Sequence, residues 1–104
     1  MELKEFIKKA KEIDDKYTLL NKHIGNRLWE LSEYTQGFVG DVGDLCKLVM
    51  AKNRFRKKED VDKKLSEELS DCLWSIIMIA DKLAIDLEKD FFVNMDELDK
   101  KISN

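Results

Sequence analysis

Two acidic doublets, Asp41-x-x-Asp44 and Glu68-x-x-Asp71, carry the clearest chemical potential in this sequence. Residues three apart on an α-helix share a face, so each doublet aims two carboxylates in one direction. Four carboxylates among apolar neighbours repel one another when ionised and unpaired. A divalent cation resolves that repulsion, and an all-oxygen donor set suits Mg²⁺ or Mn²⁺ rather than zinc or copper. Acidic pairs at this spacing also occur on ordinary solvated helix faces. With 22 acidic residues in the chain, the doublets alone admit either reading.

Long helices must position these groups. The 104-residue chain has no proline, only four glycines and 39% charged residues, a composition for one all-α domain spanning 1–104. Apolar residues at 3–4 spacing (Phe6, Ile7, Ala10, Ile13, Tyr17 and Leu20) predict a first helix over 3–22. Gly25-Asn26 ends it, with Asn26 placed to cap a second helix over 27–52. A basic stretch, 53–58, reads as a loop. A third helix is expected over 61–83, capped by Asp60, and a fourth over 86–102, capped by Asp86.

On a helical wheel, both doublets sit on the same flank of their own apolar stripe. In the third helix the stripe is Val61, Leu65, Leu69, Cys72, Leu73, Ile76, Ala80 and Leu83. In the second it is Leu31, Phe38, Val42, Leu45, Cys46 and Val49. Antiparallel packing through those stripes brings the doublets over one site. Gly37, Gly40 and Gly43 are costly inside a helix and imply a close neighbour there, either another helix or a phosphate.

A net charge of −3 argues against a general nucleic-acid binder. No apolar run reaches the length of a membrane span, and the first residues have no apolar targeting core. Cys46 and Cys72 fall at apolar helical positions, consistent with reduced core thiols in a cytoplasmic protein. His23 stands alone in a turn, without the second histidine that a zinc or di-iron site needs, which excludes a redox carboxylate bundle.

The run from Gly37 to Val49 (GFVGDVGDLCKLV), then Leu65 to Trp74 (LSEELSDCLW), then Ala80 to Glu88 (ADKLAIDLE) resembles the MazG-like family of all-α nucleoside triphosphate pyrophosphohydrolases. The resemblance spans residues 26–101 and rests on that family's E-x-x-E, spacer, E-x-x-D pattern. It implies a four-helix bundle that oligomerises through its central helices as a homodimer or homotetramer. It also implies Mg²⁺ held by Asp41, Asp44, Glu68 and Asp71, and cleavage of a nucleoside triphosphate to monophosphate and pyrophosphate. Three departures stand out. Aspartates occupy the first doublet, Gly40 stands where a further glutamate is common, and Asn94-Met95-Asp96-Glu97-Leu98 lacks the family's lysine and asparagine.

Such a hydrolysis needs a base, and Glu68 and Asp44 are equal candidates. Lys47 and Lys52 are within reach of the phosphates, although a solvated face explains both. Trp74 lies opposite its helix's apolar stripe, so either a partner subunit or a stacked nucleobase should cover it. Trp29 also faces away from its stripe and should pack on the first helix or a second subunit. The alternative function is a helical nucleotide- or protein-binding module of the same fold, weakened in catalysis by its aspartates and altered last helix.

Overall fold

The computed structural model describes residues 2–53 and 60–103, so the expected basic loop lies outside the described residues. It is all-helical, with α1 (Leu3–His23), α2 (Leu31–Asn53), α3 (Val61–Lys82) and α4 (Leu87–Ile102), and no strand occurs among the described residues. No described helix is long and apolar enough to cross a membrane.

Turn chemistry explains the helix boundaries. Gly25 adopts φ +75° after α1. The Asn26 and Gly25 amides donate to the Asn21 and Lys22 carbonyls, closing the helix end. The same motif ends α3 on an alanine. Ala84 sits at φ +55°, with Ile85 N–H on the Ala80 carbonyl and Ala84 N–H on that of Asp81. The α2 helix starts at Leu31 rather than 27, because its cap is Glu33 and not Asn26. The Glu33 carboxylate reaches back 3.0 Å to the Glu30 amide, the second half of a capping box. Asp60 precedes α3 without a side-chain cap, whereas Asp86 caps α4 by accepting from the Lys89 amide.

The central helix is α3. It runs against α2 in antiparallel sense, since hollows between them pair Gly37 with Ser75 and Leu48 with Lys64. On another side it meets α1. The buried centre is Ala10, Tyr34, Ile77 and Met78, with Ile7, Trp74, Ile79 and Leu87 packed on it. Three of the expected α1 stripe residues, Phe6, Tyr17 and Leu20, remain exposed, and polar Asp14 and Asn21 are buried instead. Cys72 is buried as expected, but Cys46 is exposed.

The four helices do not close into a compact bundle. The radius of gyration is 16.8 Å, against about 13 Å for a compact domain of this length. No residue of α4 is fully buried.

Candidate metal and nucleotide site

Antiparallel packing of α2 on α3 brings three of the four expected carboxylates together. One oxygen each from Asp41, Asp44 and Glu68 lies within 4.8 Å of the others. Asp71, the fourth, stays outside this trio and is exposed. Its charge still acts on the cluster. The Asp41 carboxyl is held above its ordinary range by desolvation, and then by Asp71 and Asp44. The Glu68 carboxyl is raised likewise, first by desolvation and then by Asp41, Asp44, Asp71 and Glu67.

The surroundings leave this repulsion uncompensated. Among the described residues, no lysine, arginine or histidine pairs with Asp41, Asp44 or Glu68. Although the Glu68 side chain as a whole is only half-buried, its Oε2 is closed off from solvent and has no hydrogen-bond partner among the described residues. An orphaned carboxylate oxygen inside an acidic cluster is costly. The donor set and the orphaned oxygen together fit a hard divalent cation.

Hollows flank the trio at both ends of the α2–α3 cleft. At the Asp41 end, a space of about 490 Å³ is lined by Trp29, Tyr34, Trp74, Glu33, Gln36 and Ser75. At the other end, about 420 Å³ is lined by Asp44, Lys47, Lys64, Glu67 and Glu68. The cleft therefore runs from an aromatic end to one where two lysines stand among three carboxylates. Lys47 falls where the sequence places it, beside Asp44. Lys52 does not line that hollow, and Asp62 at the start of α3 engages it in an ion pair. Lys64 joins Lys47 there although the sequence reading passed over it. Its signal was its place one turn before Glu67 and Glu68.

Trp74 corrects one expectation. Part of its cover comes from α1 of the same chain, and the rest of the side chain lines the hollows to either side. Its indole N–H donates 3.1 Å to the Ala10 carbonyl. Its ring sits 5.9 Å from Tyr34, 6.0 Å from Tyr17 and 6.4 Å from Trp29. The apolar stripes read from the wheel are only partly the packed faces, since Leu69, Leu73, Ile76 and Leu83 of α3 and Val42 and Val49 of α2 stay exposed, and the side of α3 that carries Trp74 is where α1 packs. Trp29 packs on Tyr17 of α1 at 5.4 Å, one of the two options foreseen. The face of α3 that stays open bears Leu69, Leu73 and Ile76 instead.

Gly37, Gly40 and Gly43 have no close neighbour, for nothing lies within 4 Å of where a Cβ would stand. The expected close approach of another helix is not made among the described residues.

No family model matches the chain, and comparison with curated proteins and with solved structures yields no match either.

Proposed function

We propose that this protein is a Mg²⁺-dependent nucleoside triphosphate pyrophosphohydrolase of MazG-like type, working as a homodimer or homotetramer. The observation that carries the reading is the trio Asp41, Asp44 and Glu68, unpaired by any described cation and flanked by an aromatic hollow and by one where Lys47 and Lys64 stand beside the acidic groups. Asp41, Asp44 and Glu68 would hold the ion, with Asp71 beside them adding negative charge. Mg²⁺, or Mn²⁺ in its place, supplies charge neutralisation for the triphosphate and its leaving group.

The protein's own groups do the rest. Glu68 or Asp44 accepts a proton from the attacking water, and the raised affinity of Glu68 for protons suits it to that task. The water oxygen bonds to the α-phosphorus, and the bond to the bridging oxygen breaks to release pyrophosphate. Trp74, together with Trp29 and Tyr34, offers ring faces for the nucleobase. Lys47 meets the phosphates at the other end of the cleft.

The test is pyrophosphate release from a panel of nucleoside triphosphates, with and without Mg²⁺. Release from at least one triphosphate, dependent on Mg²⁺ and lost in Glu68→Gln with the helical content kept, is expected. A second reading has one observation in its favour. Asp71 lies outside the trio, so the cluster is smaller than the four-carboxylate site of an active pyrophosphohydrolase. Nucleotide binding with no release from any triphosphate would establish a non-catalytic binding module instead.

A further inference from the structure

The chain exposes far more surface than a folded monomer of its mass. Its accessible area is 8513 Å², whereas a compact monomer of 12.2 kDa exposes about 6,100 Å². The excess of roughly 2,400 Å² matches what one partner buries in an obligate dimer, about 1,000–2,500 Å² per chain.

Two surfaces carry much of that excess. The first is α4, where Leu87, Phe91, Met95, Leu98 and Ile102 recur at 4-4-3-4 spacing, the narrow seam of a helix that packs on other helices. Phe91 is 51% exposed and Ile102 82% exposed, so the seam is unpartnered. The second is a groove of about 470 Å³ between α1 and α3, walled by Phe6, Ala10, Ile13, Leu73, Trp74 and Ile77. Its walls are almost entirely apolar, and the exposed Leu69 and Ile76 extend the apolar surface along α3.

The groove fits a helix with an apolar seam, but the chain's own α4 is directed elsewhere. The α3–α4 corner is locked by the Ala84 and Ile85 hydrogen bonds onto α3 and by the Asp86 cap on Lys89. From that corner only Leu87 joins the core, and every residue from Lys89 to Ser103 is exposed. We infer that a second copy of this chain lays the apolar seam of its α4 into the α1–α3 groove, and receives the first copy's α4 in return. Such a reciprocal exchange closes a two-fold dimer with both apolar surfaces covered. The inference deepens the homo-oligomeric part of the proposed function, and its test reads assembly rather than catalysis.

Sedimentation of the full chain at micromolar concentration should give twice the chain mass, or a multiple of it. The double variant Phe91→Asp/Leu98→Asp should sediment as a monomer with its far-ultraviolet helical signal retained. In a Cys46→Ser background, chains carrying Phe6→Cys and chains carrying Met95→Cys should be joined to each other by a short bismaleimide. A monomeric wild type would overturn the inference. So would an oligomer that survives the α4 variant but dissociates with Val39→Asp/Met50→Asp on α2, or an oligomer lacking the mixed-chain cross-link. Each of these results leaves the pyrophosphate assay to be judged on its own terms.

Discussion

The Tyr34 hydroxyl of α2 donates a hydrogen bond to the Asp14 carboxylate of α1, and both side chains are buried. Lys82 of α3 closes the arrangement, with its ammonium 3.3 Å from Asp14 and 5.5 Å from the centre of the Tyr34 ring. Three helices thus meet at one carboxylate. The consequence for the candidate site is direct, because Tyr34 and Trp74 also wall the aromatic hollow and α1 holds Trp74 through Ala10. This polar tie fixes α1 where it shapes the aromatic end of the cleft.

Removing the hydroxyl should therefore destabilise the fold measurably. Tyr34→Phe leaves Asp14 buried with only Lys82 to meet it, at a cost of about 1–3 kcal/mol. Urea unfolding should show a lower midpoint at unchanged slope. The tie should also outlast mild alkali. Burial, and then Asp14, push the Tyr34 hydroxyl well above its ordinary range. The folded state therefore holds this proton more tightly than the unfolded chain. The contribution is fully present below the ordinary tyrosine value near pH 10, and fades only as pH rises beyond it.

Ala84 offers a change in the opposite direction. It occupies the left-handed region at φ +55°, where a Cβ costs about 1–2 kcal/mol and glycine costs little. Ala84→Gly keeps both corner hydrogen bonds and relieves that strain. After the entropic penalty of glycine, a net gain of about 0.5–1 kcal/mol is expected, seen as a rise of a few degrees in Tm.

How far these features were legible in the sequence follows from their physics. Apolar spacing set all four helices, and Gly25 and Asp86 marked their own turns because each does so by local chemistry. The start of α2 was misplaced because Asn26 competes as a cap with the Glu30–Glu33 pair, and only geometry shows which prevails. Asp14 was invisible as a buried residue, although it lies four positions after Ala10 and three before Tyr17, in phase with the α1 stripe. A polar residue in phase with an apolar stripe is the signal that would have found it. The wheel fixed where Asp41, Asp44 and Glu68 point but could not separate them from Asp71, because both doublets have the same spacing and the same offset from their stripes. For Trp74 the wheel gave the direction, yet the identity of its cover depended on where α1 docks.

The two lysines singled out by spacing should behave differently. Lys47 lines the hollow beside Asp44 and Glu68, whereas Lys52 is engaged by Asp62. Lys47→Ala should raise KM for the triphosphate roughly tenfold, the loss of one charge-assisted hydrogen bond of about 1.5 kcal/mol, with a smaller change in kcat. Lys52→Ala should leave KM within about twofold, since exposed ion pairs contribute little. Steady-state kinetics on the two variants side by side checks both outcomes.

Mg²⁺ and pH should compete for the same carboxylates. The Asp41 and Glu68 carboxyls bind protons more tightly in the folded state than in the unfolded chain, because desolvation and their neighbours oppose ionisation. For such groups the folded state gains stability as pH falls. This destabilisation is absent below their ordinary values near pH 4 and grows as pH rises through the raised folded values. Added Mg²⁺ neutralises the ionised cluster, so it should raise Tm by several degrees at pH 7 and by less at pH 5, where protons compete more strongly for the same oxygens. Asp41→Asn removes one of the repelling charges. It should raise Tm in metal-free buffer at pH 7 while abolishing most of the Mg²⁺-induced rise. Differential scanning fluorimetry at the two pH values, with and without Mg²⁺, reads every arm. Equal Mg²⁺ shifts at pH 5 and pH 7, or a metal-free Asp41→Asn less stable than the wild type, would show that the trio does not act as one repelling, cation-binding cluster.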